Sequence, residues 1–262
     1  MKTFSILGLG WLGYPLSKKL ESKFNIKCSI RNEQKLNEIK DDIKKEEYEA
    51  FILNENNLTN LDKLLDTNYL FINFPPSKSE DYLEFLSKIY NHPKIKYIEK
   101  IFFVSSTSVY PNINMNFTED FIIEDDSKKK IVFLAENLLK QKTNYILRLS
   151  GLSGYNRMPG KFFSGKILSD SSAIVNFVHR DDVIKVVEFF IENEIHDGIF
   201  NVCAPIHPTK KELYSLHCRI LNLQLPIFEN KNNVLNRKIS TVKILETGFR
   251  YEYTNPMDFF KN

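Results

Sequence analysis

The residues best equipped for chemistry lie at the start of the chain. Gly8-Leu9-Gly10-Trp11-Leu12-Gly13 sets three glycines in the pattern G-x-G-x-x-G directly behind the apolar run Phe4 to Leu7. In that pattern the first glycine permits a turn that a Cβ would obstruct. The second lets backbone approach a pyrophosphate, and the third lets the following helix pack closely on the strand. A helix carrying Leu12, Leu16 and Leu20 on one side would aim its unsatisfied N–H groups and positive dipole end at that phosphate. The implied chemistry is dinucleotide binding, with Gly8, Gly10, Trp11, Leu12 and Gly13 around the pyrophosphate.

The form of the dinucleotide falls to Ser29-Ile30-Arg31-Asn32, about 20 residues past the first glycine, where NAD sites carry a carboxylate for the ribose hydroxyl. No carboxylate stands there. The Arg31 guanidinium, beside Asn32, suits a 2′-phosphate, so NADP is favoured over NAD. A third stretch, Ser105-Ser106-Thr107-Ser108-Val109-Tyr110-Pro111, is rich in hydroxyls and follows another apolar run, Ile101 to Val104. Ser106 at that strand end is a candidate to hydrogen-bond and orient a substrate oxygen, with Thr107 beside it.

Alternating strand and helix patterns must position these groups. Asn25 to Arg31 reads as the second strand. Asn32 to Glu47 reads as an amphipathic helix with Leu36, Ile39 and Ile43 on its apolar face. Strand-like runs follow at Glu49 to Asn54 and at Tyr69 to Phe74, the latter stopped by Pro75-Pro76. Ser77 and Glu80 predict a capping box for a helix bearing Leu83, Leu86 and Ile89. A helix around Leu134 to Leu139 precedes a sixth strand, Tyr145 to Leu149.

This alternation predicts an α/β fold, a doubly wound parallel sheet of Rossmann type. Ligands gather beyond the carboxyl ends of such strands. That brings the glycine turn, Phe74, Pro75 and Ser105 to one crevice, as cofactor contacts.

Past Leu149 the texture becomes loop-rich through Gly151, Gly154, Pro159 and Gly160. Asp181 or Asp182 predicts a cap for a helix with Val183, Val186, Val187 and Phe190 inward. Ile199 to Val202 reads as a strand, and Thr209 with Glu212 as a second capping box. A short helix stopped at Gly248 would be followed by an extended Phe249 to Tyr253. The expected division is a dinucleotide-binding core over 1–150 and a mixed segment over 151–262. That segment completes the sheet at about 174–205 and forms a small substrate lobe, the whole being one compact unit.

The 262 residues are 42% apolar and 26% charged, enough to bury a full core. A formal charge of +3 with interspersed signs argues against nucleic acid. The three cysteines, Cys28, Cys203 and Cys218, have no metal-ligand or disulfide spacing, so no metal is expected and the thiols suit a reducing cytoplasm. Met1-Lys2 and the run after it imitate a secretion signal, but the glycines break the run and no small-x-small cleavage site follows. Nothing later reaches the length of a membrane span. The expectation is a cytoplasmic protein, monomer or homodimer, with no membrane partner.

Taken together, the motifs resemble the extended and atypical short-chain dehydrogenase/reductase superfamily, in particular the YeeZ-like proteins labelled NAD-dependent epimerase/dehydratase. The resemblance rests on Gly8 to Gly13, Ser105 to Tyr110, Leu147-Arg148-Leu149-Ser150-Gly151-Leu152, Pro159-Gly160-Lys161-Phe162-Phe163, Val178-His179-Arg180-Asp181-Asp182-Val183 and Asn201-Val202-Cys203-Ala204-Pro205. It implies a Rossmann domain with a small substrate lobe. It also implies a loop bearing Arg157, Lys161 and Lys166 that approaches an anionic substrate.

In the extended members a Ser, a Tyr and a Lys do the chemistry, the latter two as Tyr-x-x-x-Lys. Here Ser106 matches the serine, but Lys128 stands where Tyr is expected and Val132 where Lys is expected, so the pair is absent. Tyr110 and Lys128 are the substitutes at hand for proton transfer. His179 reads as structural.

Three readings follow. The first is an NAD(P)-dependent oxidoreductase or nucleotide-sugar epimerase-like enzyme. The second is a non-catalytic NADP(H)-binding sensor or scaffold. The third is a hydroxyacid dehydrogenase, whose fingerprint the glycine turn also suits.

Overall fold

The computed structural model describes residues 1–39, 48–123, 130–229 and 236–260. The strands in chain order are β1 (Thr3–Leu7), β2 (Asn25–Ile30), β3 (Tyr48–Ile52), β4 (Tyr69–Ile72), β5 (Lys100–Ser106), β6 (Met115–Phe117) and β7 (Tyr145–Leu149). They continue as β8 (Gly151–Ser153), β9 (Ile167–Ser169), β10 (Phe177–His179), β11 (Gly198–Val202), β12 (Ile227–Glu229) and β13 (Arg237–Ile239). The helices are α1 (Gly13–Leu20), α2 (Glu33–Ile39), α3 (Leu61–Leu64), α4 (Tyr82–Tyr90) and α5 (Ile131–Leu139). After them come α6 (Pro159–Phe163), α7 (Arg180–Glu192), α8 (Lys210–Ile220) and α9 (Val242–Glu246).

Seven strands form one sheet in the order β11-β7-β5-β4-β1-β2-β3. β1 lies parallel to both neighbours, Ile6 standing opposite Cys28 on one side and Phe71 on the other. Starting at β3 the order is 3-2-1-4-5, that of the doubly wound dinucleotide-binding sheet, with its switch point between β1 and β4. The expected Rossmann α/β fold is therefore the one adopted. The near-continuous apolar runs follow from it, because a strand covered by helices on both faces has no solvent side to keep polar.

The chain divides into two compact units. Unit 1 comprises Met1–Ser105, Asp125–Leu147 and His196–Ile199, and unit 2 comprises Ser106–Glu124, Arg148–Ile195 and Phe200–Asn262. Unit 1 holds β1 to β4 and nearly all of β5 around a core in which Leu7, Ile72, Leu86, Ile89, Phe103 and Leu139 are buried. In α1 the buried Gly13, Leu16, Ser17 and Leu20 recur at helical spacing, so one face lies inward. Unit 2 is built on short parallel pairs, β8 with β10, β9 with β12 and β6 with β13. There Val175, Leu213 and Tyr214 form a small buried cluster.

Local signals were met unevenly. The Thr209–Glu212 capping box is present, the hydroxyl accepting from the Glu212 N–H and the carboxylate accepting from the Thr209 N–H. No such box forms at Ser77 and Glu80. Pro76–Lys78 makes a short 3-10 turn, Ser79 is extended at φ −139° and ψ 135°, and α4 starts only at Tyr82. The cap of α7 is not Asp181 or Asp182 but His179, whose Nδ1 accepts from the Asp181 N–H at 3.3 Å. The helix begins at Arg180, which places both aspartates inside its first turn. Phe249 to Tyr253 forms no strand. Of the helix expected over Asn32 to Glu47, Glu33–Ile39 is helical and residues 40–47, with Ile43, lie outside the described residues.

Candidate functional site

In unit 1 the carboxyl ends of β1 to β4 enclose a cleft of about 460 Å³. Gly8 turns the chain there with φ +104°, and a Cβ on it would sit 2.3 Å from the Asn73 carbonyl oxygen. Gly13 lies against the same turn, its ideal Cβ 2.3 Å from the Gly8 carbonyl oxygen and 3.1 Å from the Ile6 side chain. The helix can approach β1 only because that Cβ is missing. A Cβ on Gly10, by contrast, would meet nothing within 4 Å, so its face opens to the cleft. Ser29 fixes the turn from β2, its hydroxyl accepting from the Gly8 N–H at 2.9 Å and its carbonyl from the Leu9 N–H at 3.0 Å. No side chain caps α1, although in its first turn the Tyr14 N–H donates to the Gly10 carbonyl at 3.0 Å and Pro15 has no N–H.

Of the expected cofactor contacts, Gly8, Gly10, Arg31, Asn32, Phe74 and Pro75 line this cleft, and Trp11, Leu12, Gly13 and Ser105 do not. Leu12 is buried in the core. Ser105 is buried too, and its hydroxyl donates to Glu136 of α5. Asn32 accepts the Lys35 N–H through Oδ1 at 2.9 Å and so caps α2.

The sequence reading passed over Glu55, which follows β3 into the cleft and accepts from Arg31 Nη2 at 2.7 Å. Its side chain is only 6% exposed. Burial alone would push its carboxyl up. Its own backbone N–H and the Arg31 guanidinium outweigh that and hold it below the ordinary carboxylate range. A search for carboxylates just beyond β3, rather than β2 alone, would have found it.

The residues fit a dinucleotide by three observations. The glycine turn is open at Gly10, the helix end is uncapped, and a carboxylate with an unpartnered Oε2 sits under the cleft's charged rim.

Unit 2 holds a second cavity, of about 360 Å³, lined by Thr107, Asn112, Asp170, Asn176, Lys210 and Arg237 among others. Asn176 organises it. Its amide donates to the Arg237 carbonyl at 2.7 Å and accepts the Ile239 N–H at 3.1 Å, which pins β13 beside β10. Burial pulls the Arg237 guanidinium below its usual pKa, and among the described residues no carboxylate pairs with it. Asp170 sits at φ +61°, in the left-handed region, with the Ser169 hydroxyl 3.0 Å from Oδ2. A cavity with two cations and one carboxylate suits a ligand that is anionic at one point and hydrogen-bonding at others.

Arg157, Lys161 and Lys166 are exposed and do not line this cavity, whereas Thr107 does. Ser106 lines neither cavity, and its hydroxyl accepts the Ser108 N–H at 3.1 Å. Tyr110 is fully buried, with Arg148 donating to its hydroxyl at 2.9 Å and the Asn201 Oδ1 accepting at 2.8 Å. Burial raises its pKa although Arg148 opposes the rise. A phenol with no exposed surface has no path to a substrate. Lys128 lies outside the described residues.

Burial pushes the Cys28 and Cys203 thiols up to about 12, which leaves them unreactive at neutral pH. Among the described residues no helix is long and apolar enough to cross a membrane, and no His, Cys, Asp and Glu group could hold a metal ion.

No family model matches the chain. Protein YeeZ of Escherichia coli K12 is 29% identical across 278 aligned positions, covering 98% of each chain. Among solved structures, one described as a putative NAD-dependent epimerase/dehydratase from Methylobacillus flagellatus superposes with TM-score 0.78 at 21% identity, over 98% of this chain and 96% of that one. A UDP-glucuronic acid 4-epimerase from Bacillus cereus, in complex with NAD, superposes with TM-score 0.76 at 15% identity, over 99% and 97%. These likenesses agree with the strand order in giving the fold.

Proposed function

We propose that this homologue of YeeZ, built on the epimerase/dehydratase type of short-chain dehydrogenase/reductase fold, is an NAD(P)-dependent oxidoreductase or epimerase-like enzyme of the cytoplasm. Unit 1 is its dinucleotide-binding part and unit 2 its substrate lobe. The cofactor's pyrophosphate lies at Gly10 and the uncapped start of α1, with Phe74 and Pro75 on the far wall. When bound, the nicotinamide supplies hydride exchange with a substrate carbon.

The substrate is a small anion of the nucleotide-sugar or carbonyl type, its charge held by Arg237 and Lys210 and its oxygens by Thr107 and Asn112. Ser106, which lines neither cavity, is a positioning residue: its hydroxyl accepts the Ser108 N–H and so shapes the turn that carries Thr107. The observation that carries the reading is the open face at Gly10 above a turn whose other two glycines admit no side chain.

Titration with NAD+ and NADP+ tests it, followed through Trp11, the chain's single tryptophan. Gly10→Val is expected to keep the fold, because its side chain meets nothing, and to weaken dinucleotide affinity about 100-fold by filling the phosphate's place. A screen of UDP-sugars and carbonyl compounds for NAD(P)H turnover then tests the chemistry. Ser106→Ala is expected to lower kcat by no more than about tenfold, through a loosened turn at Thr107, with dinucleotide binding retained.

A second reading has one observation in its favour. With Tyr110 locked in a buried network and Val132 at the lysine position, the chain would bind the dinucleotide as a sensor without turning it over. Tight binding with no turnover anywhere in the screen selects it. A hydroxyacid dehydrogenase is disfavoured, since those enzymes complete their site with a mainly helical domain and unit 2 carries three pairs of strands.

A further inference from the structure

We infer that Glu55 sets cofactor choice, rejecting the 2′-phosphate by holding Arg31 in an ion pair, so that the chain takes NAD in preference to NADP. The inference rests on reading the unit 1 cleft as a dinucleotide site. The expectation of NADP needed a free guanidinium after β2, and the guanidinium there is engaged. Arg31 and Glu55 follow adjacent parallel strands, β2 and β3, and meet at 2.7 Å on the rim of the cleft. Arg31 is 47% exposed and Glu55 6%, so the arginine is the partner within reach of solvent and the carboxylate the buried one.

Charge accounting around the rim leads to the same residue. Lys35, the other cation on this side, is paired with Glu38 at 2.7 Å. Lys78 also lines the cleft, but it follows β4, on the opposite side of β1 from β2 and β3. The adenosine ribose of a Rossmann dinucleotide lies over the end of β2. There the local charge is a neutralised pair.

A 2′-phosphate entering beside it brings up to two negative charges. It would have to draw Arg31 away and leave Glu55 desolvated next to a second anion, a costly arrangement. A ribose hydroxyl brings a donor instead. Glu55 keeps acceptor capacity, because its Oε2 is buried without a hydrogen-bond partner among the described residues and only the backbone N–H groups of Glu55 and Glu80 act on the carboxylate beside Arg31. The carboxylate that NAD sites take from the end of β2 is thus supplied by the next strand.

Calorimetric titration of the full chain with NAD+ and with NADP+ tests this, for the wild type, Glu55→Gln and Glu55→Ala. The wild type is expected to bind NAD+ at least about tenfold tighter than NADP+. Glu55→Gln removes the charge that holds the guanidinium and is expected to shift that ratio about tenfold or more toward NADP+, and Glu55→Ala, which frees the guanidinium outright, supplies the same reading should the glutamine variant not fold. A wild-type preference for NADP+, or a ratio unmoved by either substitution, overturns the inference and leaves the dinucleotide site standing. Failure of the folded wild type to bind either dinucleotide overturns the site itself, and the inference with it.

Discussion

Unit 1 meets several of its surface charges with opposite charges, whereas unit 2, which has surface pairs of its own, also buries imidazoles with an unsatisfied ring nitrogen. Around the unit 1 sheet Arg31 pairs with Glu55, Lys2 with Glu99 and Lys94 with Asp62. In unit 2, His179, His207 and His217 each keep a buried ring nitrogen without a partner. Burial pushes each of the three down to about 4. The contrast predicts different responses to acid.

A neutral imidazole in the fold becomes protonated on unfolding at any pH between about 4 and 6.5, so the unfolded chain binds more protons there and stability rises with pH. Asp182 opposes this, because burial raises it to about 6 and it holds a proton in the fold that it loses on unfolding. Glu119 is raised by burial in the same sense. The three imidazoles outnumber the two raised carboxyls, so unfolding takes up protons on balance between pH 6 and 4 and stability falls as the pH falls through that window. Hydrogen exchange is expected to show protection in α7 and α8 complete above pH 6.5 and collapsing toward pH 4, while β1, β2 and β4 hold. Equal losses in the two units would break the contrast.

The next largest effect sharpens it from the other side. Unit 1 relies on backbone packed against backbone at Gly8, so Gly8→Ala forces a Cβ onto the Asn73 carbonyl in a left-handed conformation. The cost is about 2–4 kcal/mol, read as a lower denaturation midpoint of Trp11 fluorescence.

In unit 2 the comparable test is a side chain. Arg237→Gln removes a half-buried cation that no described residue pairs, so stability is expected to change by less than about 1 kcal/mol. Affinity for anionic ligands should fall about tenfold. A large loss of stability would mean that Arg237 is structural after all, and the two units would then differ less than their charges suggest.

The same contrast explains what could be read from the sequence. Unit 1 is specified by short-range patterns. Apolar runs, glycines at fixed spacing and helix periodicity pointed to the doubly wound parallel sheet and to six of the residues that line the cleft, because such a cleft is made of strand ends and one turn. Glu55 escaped because its role depends on β3 lying beside β2, which composition along the chain does not express.

Unit 2 assembles its cavity from four stretches far apart in the chain, at Thr107 and Asn112, at Asp170, at Lys210 and at Arg237. No local pattern joins them, and the nearby loop cations drew the inference instead. The misplaced caps have a similar cause. Pro75-Pro76 overrode a good Ser77–Glu80 signal, and His179 took the capping place that the aspartates two and three residues later seemed to claim.

The smallest expected effect decides whether the unit 2 cavity is bounded where it has been drawn. Lys161 and Lys166 are exposed, have no partner among the described residues and do not line it. Exposed, unpaired side chains of this kind contribute within about 0.5 kcal/mol to stability. The Lys161→Ala, Lys166→Ala double variant should therefore melt with the wild type. It should also bind the anionic ligand found for the cavity within about twofold of the wild type, with a slightly stronger dependence at low salt from lost long-range attraction. A loss above about fivefold at physiological ionic strength would mean the loop reaches the bound ligand. The cavity walls at Arg237 and Lys210 would then be only part of the binding surface, and the resemblance would have placed the anion better than the cavity does.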